Sequence, residues 1–258
     1  MNNKEEKLKA FERLLDIMDE LRLKCPWDRE QTFDTLRNLT IEETYELADA
    51  IMENNPEGMK KELGDLMLHI VFYGKIGSEQ EQFDMADILN GINEKLIFRH
   101  PHVFGEKEVK GAGEVIQNWE ELKKKEGNKQ VLGGVPKTLP AMIKAHRIQD
   151  KARAVGFDWD KREDVWDKVA EEMAELRAEL ELGNRERIED EFGDLFFSIV
   201  NAARLYDIEP ETALERTNRK FIHRFNYLEA ESNRLGKSLK EMSLQEMEAI
   251  WQKAKTQE

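Results

Sequence analysis

One feature of the sequence constrains its fold more than any other: the same spaced set of acidic residues occurs twice. Glu42-Glu43-Thr44-Tyr45-Glu46 is followed by Glu62-Leu63-Gly64-Asp65, and Glu171-Glu172-Met173-Ala174-Glu175 by Glu191-Phe192-Gly193-Asp194. Glu42 and Glu171 are 129 residues apart, and so are Glu62 and Glu191. Asn93-Glu94-Lys95-Leu96-Ile97-Phe98-Arg99 matches Asn218-Arg219-Lys220-Phe221-Ile222-His223-Arg224 at an offset of 125. Trp27-Asp28 matches Trp159-Asp160, and Trp119 matches Trp251, both at 132. Order is kept while loop lengths drift, as in duplication of one domain. Solenoid repeats have much shorter periods.

Each copy reads as helical. Val165, Trp166, Val169, Met173, Leu176 and Leu180 recur at steps of three and four, as do Ile188, Phe192, Leu195, Phe196, Ile199 and Ala203. Asn54-Asn55-Pro56 reads as a helix start and Gly183-Asn184 as a helix stop. No stretch alternates with the period of a strand. Three Gly and two Pro fall within Gly127–Pro140 and read as a connection. The expected organisation is all-α: tandem duplicated helical bundles over 1–126 and 138–258, with a Gly/Pro linker at 127–137.

Composition narrows the function classes. Of 258 residues, 54 are Asp or Glu and 40 are Lys or Arg, for a net charge of −14. That balance argues against binding duplex nucleic acid, which needs positive surface to replace counterions. It is compatible with a nucleotide that arrives with a divalent cation. No apolar run is long enough for a membrane span. The N-terminal residues have no signal-peptide pattern. The single cysteine, Cys25, forms no internal disulfide and no thiolate zinc site. A cytoplasmic protein is expected.

The carboxylates carry the chemistry. Glu172 and Glu175 share one helix face, as do Glu191 and Asp194 on the following helix. Glu191 lies sixteen positions after Glu175 with Gly183-Asn184 midway, so an antiparallel hairpin returns both pairs to the same level. Four converging carboxylates repel unless a cation joins them. All-oxygen ligands suit Mg²⁺, with Mn²⁺ as a possible substitute. Glu43, Glu46, Glu62 and Asp65 form the same set in the first copy. Lys220 and Arg224, mirrored by Lys95 and Arg99, suit phosphate contacts. Arg187 lies one turn before Glu191, where the first copy has Gly58. Trp251 and Trp119 could stack on a base or simply pack.

In these motifs the chain resembles the MazG family. The segments that carry the likeness are Cys25-Pro26-Trp27-Asp28, Leu39 to Glu46, Gly64-Asp65-Leu66, Arg99 to Phe104, and Val155-Gly156-Phe157-Asp158-Trp159. The resemblance implies an all-α nucleoside triphosphate pyrophosphatase fold and a homodimer. It implies Mg²⁺-dependent hydrolysis of NTPs and dNTPs, with broad base tolerance, to the monophosphate and pyrophosphate. The family's metal ligands fall on Glu172, Glu175, Glu191 and Asp194. Its triphosphate contacts fall on Lys220, Arg224 and Arg187, and its nucleotide-linked tryptophan on Trp251. The first copy keeps Glu43, Glu46, Glu62, Asp65, Lys95, Arg99 and Trp119. The expected mechanism is in-line attack on the α-phosphorus by a water held by a carboxylate such as Glu171, with Lys220 and Arg224 stabilising the leaving pyrophosphate. Two rivals remain at this stage. A di-iron or di-manganese oxidase would need Glu-x-x-His, but Asp65 and Asp194 stand at the fourth position. A non-catalytic helical regulator would bind nucleotide without turnover.

Overall fold

A computed structural model describes residues 2–106, 109, 111, 114, 115, 122 and 130–256. Among the described residues every regular element is a helix. The chain divides into two compact units, Met1–Lys110 and Gly111–Glu258. Residues 127–129, the start of the expected linker, lie outside the described residues, and 130–140 are turns and bends.

The N-terminal unit has α1 (Lys4–Lys24), α2 (Pro26–Glu30), α3 (Phe33–Met52), α4 (Pro56–Glu79), α5 (Met85–Arg99) and α6 (Pro101–Phe104). Its central element is the α3–α4 hairpin, against which α1 packs. Asn55 caps α4 by accepting a hydrogen bond from the Gly58 backbone N–H at 3.0 Å, and Pro56 occupies the first turn. The cap satisfies a donor that a helix start otherwise leaves unpaired. The core gathers Met18 from α1, Leu36 from α3, and Val71, Phe72 and Ile76 from α4. Burying each such side chain contributes roughly 1.5–3 kcal/mol.

The C-terminal unit has α7 (Ala141–Arg153), α8 (Val165–Leu182), α9 (Arg185–Leu205), α10 (Pro210–Leu235) and α11 (Leu244–Lys255), with single 3₁₀ turns before α8 and α11. The α8–α9 hairpin is its most extensive helix pair, and α7 packs on α9. Gly183 ends α8 at φ 74°, where a β-carbon would be strained, and Asn184 caps α9. A smaller core of Leu228, Met242 and Ile250 joins α10 to α11.

Both hairpins leave the same helix face bare. Leu63, Met67 and Ile70 of α4 are exposed, and so are Phe192, Phe196 (60%) and Ile199, which stand 129 positions later on α9. Across each turn, Ile41 and Tyr45 of α3, and Trp166, Met173 and Leu180 of α8, are exposed too. The apolar periodicity read from the sequence is real. Part of it lies outside the core of its own unit.

Candidate metal and nucleotide site

The hairpin geometry brings the acidic residues together in both units. Carboxylate oxygens of Glu172, Glu175 and Glu191 all lie within 4.8 Å of one another, and so do those of Glu43, Glu46 and Glu62. Asp194 and Asp65, the expected fourth members, are not in the groups that meet within 4.8 Å, though their charges reach Glu191 and Glu43. Glu191 is held above the usual carboxylate range by desolvation, then by the charges of Glu175, Asp194, Glu172 and Glu179. Glu43 is raised for the same reasons, with Asp65 the largest charge effect. Both sets can therefore hold a hard cation. Glu62 and Glu172 are 7% and 6% exposed, and a buried carboxylate is costly without a counter-charge.

A lysine that precedes the buried carboxylate in sequence supplies that charge in each unit. Lys61 Nζ lies 3.1 and 3.2 Å from the Glu62 oxygens, 3.7 Å from Asp65 and 4.0 Å from Glu46. Lys168 Nζ lies 2.7 Å from Glu172 and 2.9 Å from Glu171. Hydrogen bonds to these carboxylates raise the pKa of both lysines. The positions are not equivalent, because Asp190 stands where Lys61 would recur and Leu39 where Lys168 would. Neither lysine belongs to the repeated set of acidic and basic positions, since neither recurs in the other copy. Lys168 could have been found from its i,i+4 spacing to Glu172.

The other expected residues fall into separate groups. Arg187, near the start of α9, pairs with Glu179 at 3.3 Å across the hairpin turn. Glu171 is exposed on α8 and tied to Lys168. Lys220 and Arg224 lie on α10. The Arg224 guanidinium stands 5.9 Å over the Trp251 ring, and Phe221 packs on that ring at 5.0 Å. Lys95 and Arg99 lie on α5. Trp119 lies outside the described residues. His69, four residues past Asp65, is buried, and its Nδ1 has no hydrogen-bond partner among the described residues.

The duplicated carboxylate hairpin coincides with a known domain. The model of the MazG nucleotide pyrophosphohydrolase domain matches residues 31–104 and again 161–228. The chain belongs to the MazG family. It is 42% identical to the nucleoside triphosphate pyrophosphohydrolase/pyrophosphatase MazG of Thermotoga maritima, over 95% of both chains. It is 39% identical to the nucleoside triphosphate pyrophosphohydrolase of Escherichia coli (strain K12), over 97% of this chain and 99% of that one. It is 44% identical to an uncharacterised Bacillus subtilis protein, YabN, over 99% of this chain and 54% of that one. The tandem all-α architecture expected from the repeated acidic set is thus the MazG architecture. No helix among the described residues is long and apolar enough to cross a membrane.

Proposed function

We propose that this enzyme hydrolyses nucleoside triphosphates, ribo and deoxyribo with broad base tolerance, to the monophosphate and pyrophosphate in the cytoplasm, with Mg²⁺ as cofactor. One observation carries the reading: two separate hairpins converge the same three glutamates to within 4.8 Å. Surface glutamates on amphipathic helices have no reason to converge twice.

In the C-terminal unit, Glu172, Glu175, Glu191 and Asp194 would hold the cation, with Glu43, Glu46, Glu62 and Asp65 as the matching set in the N-terminal unit. All-oxygen donors favour Mg²⁺, with Mn²⁺ able to substitute. When bound, such an ion offsets phosphate charge and acidifies a nearby water. Glu171 is exposed beside the set and accepts a hydrogen bond, so it can orient the attacking water toward the α-phosphorus. Lys168 is poised to transfer from Glu172 to a phosphate once the carboxylates are otherwise neutralised. Arg187, Lys220 and Arg224 would offset charge on the departing pyrophosphate. Trp251 supports this by holding the Arg224 guanidinium over its ring. Lys95 and Arg99 of the N-terminal unit, with Trp119, are the corresponding set of the first sequence copy.

A second copy of the chain is the occupant we assign to the bare α8–α9 face. Phe192, Phe196 and Ile199 form an apolar strip on the helix that carries Glu191 and Asp194, and a homodimer would cover it.

The test is product analysis with a panel of NTPs and dNTPs plus Mg²⁺. Monophosphate with pyrophosphate is expected. Diphosphate with phosphate would reject attack at the α-phosphorus. Binding without turnover would favour a regulator.

A further inference from the structure

The α8–α9 hairpin carries an ion pair that lies outside the repeated acidic set. Arg187 Nη1 donates to Glu179 Oε1 at 3.3 Å across the turn. Glu179 lies one helical turn past Glu175, and Arg187 one turn before Glu191. The pair is therefore the next rung of the hairpin, about 6 Å from the acidic set along the helix axes. Its charge reaches that set, because Glu179 is among the carboxylates that hold Glu191 above the usual range.

The two partners are unequally placed. The Glu179 side chain is 14% exposed and that of Arg187 is 66% exposed. Glu179 Oε2 is buried and has no hydrogen-bond partner among the described residues. A covered carboxylate with one unsatisfied oxygen depends on the counter-charge at the other, so Arg187 is tied to Glu179 more firmly than in an open surface pair. The Arg187 backbone is held as well, since its N–H donates to the Asn184 cap at 3.4 Å. A guanidinium has several N–H donors in a fixed fork. The pair thus shows its positive end to solvent, with donors to spare for a phosphate.

The first copy lacks both partners together. Ala50 and Gly58 stand at the same offset of 129. Ala50 is buried, and a β-carbon placed on Gly58 would meet the Ala50 β-carbon at 3.2 Å. Close backbone approach fills this rung in α3–α4, and a charged pair fills it in α8–α9. Closing the hairpin therefore does not require the pair.

We propose that Glu179 is a positioning residue: it holds Arg187 beside the acidic set, in place for the triphosphate before substrate arrives. This rests on the pyrophosphohydrolase reading above. Preorganisation removes the cost of ordering a long side chain at binding. Once bound, the phosphates hold Arg187 themselves. The contribution of Glu179 therefore falls on KM, with little on kcat.

The test is a double-mutant cycle of Glu179→Ala and Arg187→Ala, read in steady-state hydrolysis of ATP with Mg²⁺. Glu179→Ala should raise KM about three- to tenfold, the scale of one side chain left to be ordered at binding, with kcat within about twofold. Glu179→Gln keeps an acceptor for Arg187 and should recover part of that loss. In the Arg187→Ala background, Glu179→Ala should leave KM unchanged. Arg187→Lys, which keeps a positive partner for the covered carboxylate, replaces Arg187→Ala should that variant fold poorly. A lower KM in Glu179→Ala would mean that the carboxylate only repels phosphate. An additive cycle would mean that it acts without Arg187. A fall in kcat with a higher Mg²⁺ requirement would mean that the pair only braces the acidic set. Each of these results overturns the proposal. Calorimetric binding of inorganic pyrophosphate with Mg²⁺ repeats the cycle without turnover. Coupling there, in a wild type that releases no monophosphate, would reject the hydrolytic reading alone. No coupling, in a protein that does hydrolyse ATP, would overturn the positioning role alone.

Discussion

The two units carry the same acidic constellation on the same hairpin, yet they treat the surrounding space differently. In the N-terminal unit α4 spends the face beyond Asp65 on a core: Val71, Phe72 and Ile76 close against Met18 and Leu36. In the C-terminal unit the matching face of α9 carries Phe197 and Asn201, which line a cavity with Gln149. The counter-charge differs as well, from Lys61 beside Glu62 to Lys168 beside Glu172. Duplication preserved the convergence of the glutamates and left the neighbouring volume free to become either packing or cavity. The comparison teaches that one acidic hairpin can stand beside packed core or beside open volume, and that a few side chains one and two turns away decide which.

The largest effect should come from the packed side of this contrast. Phe72→Ala should destabilise the N-terminal unit by about 3–5 kcal/mol, by lost transfer energy and a residual cavity. Asn201→Ala, at the equivalent position, should cost less, about 1–3 kcal/mol, because it loses an acceptor for the buried Arg204 guanidinium and no core packing. Urea unfolding of the two variants measures both. Comparable losses would show that the cavity wall is as tightly packed as the core.

Catalysis should divide in the same direction. Glu172→Gln should reduce NTP turnover on the order of 10²–10³-fold, the scale of losing a preorganised charge at a phosphoryl site. Glu43→Gln should reduce it only severalfold. Steady-state pyrophosphate release decides this, and equal losses would mean that both units act on nucleotide.

The lysines offer a subtler comparison. Each ammonium would compete with a cation for the carboxylates, and ion pairs at lysines as exposed as Lys61 are weak. Lys61→Ala should therefore tighten Mn²⁺ binding in the N-terminal unit by about two- to fivefold, and Lys168→Ala should do the same in the C-terminal unit. Calorimetric titration of each variant is the measurement. Weaker binding in either would show that the lysine organises the set instead of competing for it.

The smallest expected effect is on pH. Glu43 and Glu191 have raised pKa values in the folded protein. Their contribution to stability is present below the unfolded carboxylate pKa and is lost as pH rises through the folded value. Without metal, the two acidic sets thus weaken the fold as pH climbs above the carboxylate range. A divalent cation binds the ionised sets, so added MgCl₂ should raise Tm more at pH 8 than at pH 5. A pH-independent shift would place the cation elsewhere.

Much of this was legible from the residues alone. Asn55-Pro56, and Gly183 with Asn184, announced the hairpin ends because capping is local chemistry. Fixed helical pitch then placed Glu172, Glu175 and Glu191 together. Other features depend on tertiary packing. Apolar periodicity identifies a stripe but not what covers it, so the spacing of Phe192, Phe196 and Ile199 was legible and their exposure was not. Lys61 and Lys168 settle on whichever glutamate the fold buries, and burial is not written at either position. Glu179 had no signal: one more glutamate on an acidic helix stands out only when its partner atoms can be counted.

The most direct test of the central claim is hydrolysis of an NTP in ¹⁸O-labelled water, with the wild type and Glu43→Gln side by side. The account predicts one label in the monophosphate, none in the pyrophosphate, and a rate in Glu43→Gln that is reduced no more than severalfold. Label in the pyrophosphate, or a rate that collapses in Glu43→Gln, would contradict it.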